Sequence, residues 1–206
     1  SSEAGTRLDI NLYFVGVPGV DAESAPSDIN IQRTIDVVER IYDDMGVDAS
    51  VQNYYDASED VTNRYSIVRD FYDVFDLVAT SQPPGPSADE RLSVNVFLIR
   101  GFNVSEAPGL LGVSAGIPGM AGMHGNSGAG LVFSTSNLGQ DNETLGQTMA
   151  HEIGHFLGLR HTTEHRGSGH DPITDTPECV IPDLGFLCPD ADNFMFAYSI
   201  GGDQFE

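Results

Sequence analysis

The sequence predicts a mixed α/β (α+β) domain: a twisted mixed sheet, two backing helices, one further helix carrying a dense polar motif, and an irregular C-terminal part. Three observations carry this. Short apolar runs alternate with helical stripes over the first two thirds of the chain. Helical spacing then holds from Asp141 to Gly158. Beyond His161 the composition turns rich in Pro, Gly and Asp. The 206 residues suffice for a single domain with a substantial core. The composition shift divides it into an N-terminal subdomain, 1–158, and a C-terminal subdomain, 159–206.

Residues 8–15 alternate apolar and polar before turning wholly apolar, which predicts a strand. Ile31, Ile35, Val38, Tyr42 and Met45 mark one face of a helix, with Asn30 to cap it and Gly46 to end it. Residues 47–55 read as a second strand. Val68, Phe71, Tyr72, Phe75 and Val78 form another apolar stripe, expected to face the core. Pro83, Pro84, Gly85 and Pro86 make a rigid loop. Residues 92–100 are apolar enough for a central strand. Residues 109–117 suit an edge strand, and residues 129–134 a short strand before the last helix. That helix has Asp141, Asn142 and Thr144 as capping candidates, and Leu145, Met149, Ile153 and Phe156 as its core face.

The polar motif lies on this helix: His151-Glu152-x-x-His155-x-x-Gly158-x-x-His161. Residues four apart share a helix face, so His151 and His155 can bind one ion. Glu152, rotated by about 100°, falls beside that ion. Gly158 can take the left-handed conformation that ends a helix, letting His161 return as a third ligand. Three protein ligands leave one position open, as a catalytic zinc site requires. Zinc brings the pKa of bound water to about 7. Glu152 is then expected to act as general base and acid, taking the water's proton and passing it to the leaving amine.

This motif resembles that of the metzincin zinc endopeptidases, in which a methionine turn lies beneath the metal. Asn193-Phe194-Met195, with Tyr198 and Ser199 after it, is similar to that turn. Within the clan the chain most resembles the pappalysin family, through Leu110-Leu111-Gly112-Val113, His161-Thr162-Thr163 and Asp175-Thr176-Pro177. The resemblance is firm over residues 92–199 and weaker before them. It implies a metzincin-like catalytic domain and a zinc-dependent endopeptidase, with Met195 as the floor of the metal site. It implies that Leu110, Leu111, Gly112, Val113 and Ser114 hold an extended peptide substrate. It also implies a structural calcium at Asp171, Thr174, Asp175 and Thr176. Tyr198 would stabilise the transition state, but it follows Met195 by three residues where the family has two. Asp203 would favour a basic residue after the scissile bond.

The net charge is −22, with nine basic residues, all arginine. Nucleic acid and anionic membrane surfaces would be repelled. No apolar run reaches the ~20 residues that cross a bilayer. The acidity suits basic substrates, calcium or plain solubility. Cys179 and Cys188 can close a short disulfide loop, which fits a secreted protein, or remain free thiols. The start at Ser1-Ser2-Glu3 reads as a mature or excised domain, with any propeptide outside this chain. His124, His165 and His170 read as solvated loop histidines. Two alternatives to a peptidase stay open: a catalytically silent zinc-containing binding domain, and a zinc amidase acting on a non-protein amide.

Overall fold

A computed structural model describes residues 6–81, 93–164, 169–173, 175–177, 179 and 188–197. Its main sheet has five strands in the order β2-β1-β4-β7-β6. These are β1 Thr6–Val15, β2 Val47–Asp56, β4 Val94–Ile99, β6 Gly112–Ser114 and β7 Leu131–Ser134. The first four in that order are parallel, and β6 runs antiparallel to β7. A second, two-stranded sheet pairs β3 Ile67–Val68 with β5 Gly101–Phe102.

Alternation along β1 divides the core in two. Leu8, Ile10, Leu12 and Phe14 point to the face covered by helices α1 (Ile29–Asp44) and α4 (Asn142–Leu157). Tyr13 and Val15 point to the opposite face, covered by α3 (Phe71–Val78), near α2 (Glu59–Tyr65). Strand β4 is buried along its whole length, as its apolar sequence predicts. The two helices on the first face are tied by Tyr42, whose buried hydroxyl donates to the Ala150 carbonyl at 3.0 Å.

The sequence reading needs three corrections here. The cap of α1 is Asp28, whose side chain accepts from the N–H groups of Asn30 and Ile31, so Asn30 lies inside the helix. Gly46 does follow its end, at φ 73°. The stripe from Val68 to Val78 is not one helix. Val68 belongs to β3, and α3 buries Val74, Leu77 and Val78, while Tyr72 is 80% exposed. Asp70 starts α3 by accepting from the Asp73 N–H, so Val68 lies outside the helix. The edge strand is shorter than expected, three residues in place of residues 109–117. Helix α2 was not predicted; Ser58 caps it, accepting from the Val61 N–H. Among the described residues, no helix is long and apolar enough to cross a membrane.

Candidate metal centre

Helix α4 is capped by Asp141, which accepts from the Thr144 N–H at 3.0 Å. Leu145, Met149, Ile153 and Phe156 are buried and anchor one side against the core. Gly158 ends the helix at φ 107°, a left-handed conformation costly for any residue with a Cβ. Its N–H donates to the His155 carbonyl, and the Leu159 N–H to that of Gly154. The reversal brings His161 back toward His151 and His155.

The three rings meet at their Nε2 atoms. His161 Nε2 lies 3.2 Å from that of His151 and 3.0 Å from that of His155. Each Nδ1 faces an oxygen: the Phe194 carbonyl at 2.7 Å from His151, the Leu159 carbonyl at 2.9 Å from His155, and the Glu164 carboxylate at 3.0 Å from His161. A carbonyl or carboxylate only accepts, so each Nδ1 carries the proton and donates. Each Nε2 of a neutral ring is then left with a lone pair aimed at the other two. Three lone pairs at this separation cannot bond one another; a cation among them satisfies all three. Burial also keeps two of the rings neutral, lowering His151 to about 3 and His155 to about 4. The donor set therefore fits zinc.

Glu152 sits next to this centre, buried but lining the cleft above it. Burial pushes its carboxyl up to about 7, against the opposing hydrogen bond from the Ser114 backbone. The close approach depends on Gly112, since a Cβ there would lie 2.5 Å from Glu152 Cγ. Strand β6 thus supports Glu152 with both a backbone donor and an absent side chain.

The residues around Met195 pack against α4 beside the centre. The Asn193 side chain accepts from the Met195 N–H at 2.8 Å, and the Asn193 carbonyl from the Phe196 N–H at 2.9 Å. Met195 packs so close under α4 that a Cβ on Gly154 would be 2.5 Å from its Sδ. The segment after His161 is fastened to the same region. Buried Asp190 accepts from the hydroxyls of Thr162 at 2.8 Å and Thr163 at 2.6 Å, and the Thr162 N–H donates to the Met195 carbonyl at 3.2 Å. Cys179 and Cys188 form a disulfide beside Asp190.

A cleft of about 590 Å³ opens over the three histidines. Residues 109–114 line it, together with Phe196 and Ala197. Flanking β6, the Leu111 carbonyl accepts from the Ser134 N–H and the Ala115 N–H donates to the Gly130 carbonyl. By alternation the backbone groups of Gly112 and Ser114 face away from β7, toward the cleft. Among the described residues, no strand pairs with that outer edge.

A family model for metallo-peptidase family M12 (Reprolysin_5) matches residues 22–205. The chain belongs to this metallo-peptidase family. As a zinc-dependent metallopeptidase it acts on protein or peptide substrates, and its histidine triad supplies the metal-binding chemistry that membership requires. No curated protein matches the sequence. Among solved structures, the metallopeptidase is similar to archaemetzincin from Archaeoglobus fulgidus complexed with malonate. That pair is 15% identical, covering 80% of this chain and 87% of the other, with a TM-score of 0.46. It is also similar to archaemetzincin from Methanopyrus kandleri, at 16% identity, 81% and 82% coverage and a TM-score of 0.47. Metalloproteinase-II from Bacteroides fragilis is 14% identical, with 81% of this chain and 47% of that one covered and a TM-score of 0.41.

Of the other predicted positions, Tyr198, Thr174, His165 and Asp203 lie outside the described residues. Asp171 and Asp175 join no set of three converging His, Cys, Asp or Glu ligands among the described residues. His124 and His170 lie apart from the triad, beside Asn95 and Thr163 respectively. Sequence reasoning missed the Phe194 and Leu159 carbonyls, Glu164, Asp190 and the steric role of Gly112. Only Gly112 and Glu164 carried a local signal: a glycine inside a strand pattern, and a carboxylate three residues after a ligand.

Proposed function

We propose that this metallopeptidase is an endopeptidase of pappalysin type that cuts extended polypeptides across the β6 cleft. One observation carries it: three imidazole lone pairs converge beside a buried carboxylate, under a strand edge that is unpaired among the described residues. His151, His155 and His161 would hold zinc. When bound, zinc supplies Lewis acidity, polarising a carbonyl and acidifying water. Glu152 takes a proton from the attacking water and delivers it to the leaving amine. Burial raises the Glu152 carboxyl, which favours its holding the proton between the two halves of that transfer. The Ser114 N–H holds Glu152 in line, and Gly112 offers outward backbone groups to which a substrate strand can add. Leu110, Leu111 and Val113 flank that edge, and Met195 supports the ligands from beneath.

The pappalysin-type assignment rests on the sequence signatures around Leu110, Asp175-Thr176-Pro177 and Asn193-Phe194-Met195. Tyr198 as transition-state donor and the 158/159 subdomain boundary belong to the same reading. So does calcium at Asp171, Thr174, Asp175 and Thr176. Burial first, then the charge of Asp175, raises the Asp171 carboxyl. A thermal midpoint unchanged by calcium chelation would remove that site from the reading. The disulfide supports a secreted location.

The test is a mixed peptide library digested by wild type and Glu152→Ala, with fragments identified by mass spectrometry. Internal cleavages that vanish in the variant, while zinc is retained, are expected. Release of terminal residues only would rule out an endopeptidase. Zinc without Glu152-dependent cleavage would favour a silent binding domain.

A further inference from the structure

The three ligands are not held alike. His151 and His155 donate to main-chain carbonyls of Phe194 and Leu159, which no side-chain replacement removes. His161 donates instead to a side chain, the Glu164 carboxylate, at 3.0 Å. Both members of that pair are more open to solvent: the His161 side chain is 25% exposed and that of Glu164 is 48% exposed. His161 also stands outside α4, so helical geometry does not fix its ring.

What fixes Glu164 is antiparallel pairing of its own segment with residues 169–171. The Glu164 N–H donates to the Gly169 carbonyl at 2.9 Å, and Thr163 bridges to His170. The Asp171 N–H donates to the Thr162 carbonyl at 3.4 Å. Glu164 is thus held three residues beyond His161, its carboxylate directed back onto Nδ1.

We propose that Glu164 is a positioning residue for the metal centre: by accepting from Nδ1 it sets the tautomer and plane of the His161 ring, and so contributes to zinc affinity. A carboxylate partner also raises the basicity of the imidazole it accepts from, which strengthens the bond that Nε2 makes to a metal. Outer partners of this kind are worth about 10- to 100-fold in metal affinity. Partial exposure puts the expected effect near the lower end. This inference rests on the zinc assignment above.

The experiment measures zinc dissociation constants by chelator competition for wild type, Glu164→Ala and Glu164→Gln. Thermal unfolding of the zinc-free proteins serves as the check on folding. Glu164→Ala should weaken zinc about tenfold while the zinc-free midpoint stays within a degree or so of wild type. Glu164→Gln keeps an accepting oxygen and should recover part of the loss. Cobalt-substituted Glu164→Ala should show a shifted d–d spectrum, which a merely structural residue would leave alone. Equal zinc affinity in wild type and Glu164→Ala would overturn the role of Glu164 while leaving the zinc assignment intact. No recovery in Glu164→Gln would likewise overturn it, since the hydrogen bond would then not be what matters. Absence of zinc binding by wild type would overturn the assignment and this role together.

Discussion

Replacing Gly154 by alanine sets two effects of opposite sign against each other. In an exposed helix the change would stabilise by about 1 kcal/mol through propensity alone. Here the new Cβ would stand 2.5 Å from Met195 Sδ and 3.2 Å from Phe194 Cε2. Ordinary carbon contacts begin near 3.5 Å, so the methionine must retreat by roughly 1 Å. Met195 and Phe194 are both buried and have little room to do so. Overpacking of this kind costs about 1–3 kcal/mol, which exceeds the propensity gain over most of its range. A net loss near 1 kcal/mol lowers the midpoint of a domain this size by about 2–4 °C. The functional effect is larger. The Phe194 carbonyl, next in the chain to Met195, accepts from His151 at 2.7 Å, and a displacement passed on to it would weaken metal binding, by up to about 10- to 100-fold. Chelator competition and thermal unfolding measure the two effects separately. A rise in midpoint with unchanged zinc affinity would show that propensity wins. That would refute close packing of the methionine turn under α4.

Three further outcomes follow from the same geometry. Gly112→Ala places a Cβ 2.5 Å from Glu152 Cγ and should lower kcat on the order of 100-fold with zinc content unchanged, by displacing the base about 1 Å. Equal kcat would separate β6 from catalysis. The Asp141 carboxylate is lowered below its ordinary 3.8, chiefly by the hydrogen bond from the Thr144 N–H. A group lowered on folding stabilises fully above its unfolded value, and that contribution is lost as pH falls through the lower folded value. Asp141→Asn caps without titrating, so its midpoint should fall less than that of wild type below pH 3.8; parallel curves would discount the cap. Finally, a net charge of −22 destabilises the compact state by self-repulsion, so raising salt from about 0.1 M to about 1 M should raise the midpoint as the screening length falls from about 10 Å to about 3 Å. A flat response would mean that the acidic side chains are locally neutralised.

Local chemistry made part of this molecule readable in advance. The spacing of His151, Glu152 and His155, the capping oxygen at Asp141 and the glycine at Gly158 each act within one or two helical turns. Their consequences follow from helix geometry alone. The stripe from Val68 to Val78 misled because apolar spacing does not say which face meets the core. Asp70 resets the helix start, and Phe71, Tyr72 and Phe75 are left partly or largely exposed. The carbonyls of Phe194 and Leu159 have no side-chain signature, since any residue supplies one. Asp190 meets Thr162 and Thr163 across 28 and 27 residues of chain, a distance over which sequence pattern carries no register. The outer support of the metal centre is therefore a product of the fold, while the ligands themselves are a product of one helix and its terminating turn.

X-ray absorption at the zinc edge of the purified protein tests the central claim most directly. Three convergent Nε2 lone pairs and one open position predict three imidazole nitrogens and a single further oxygen, all at about 2.0–2.1 Å. Sulfur scattering near 2.3 Å, or fewer than three imidazoles, would contradict the centre built on His151, His155 and His161.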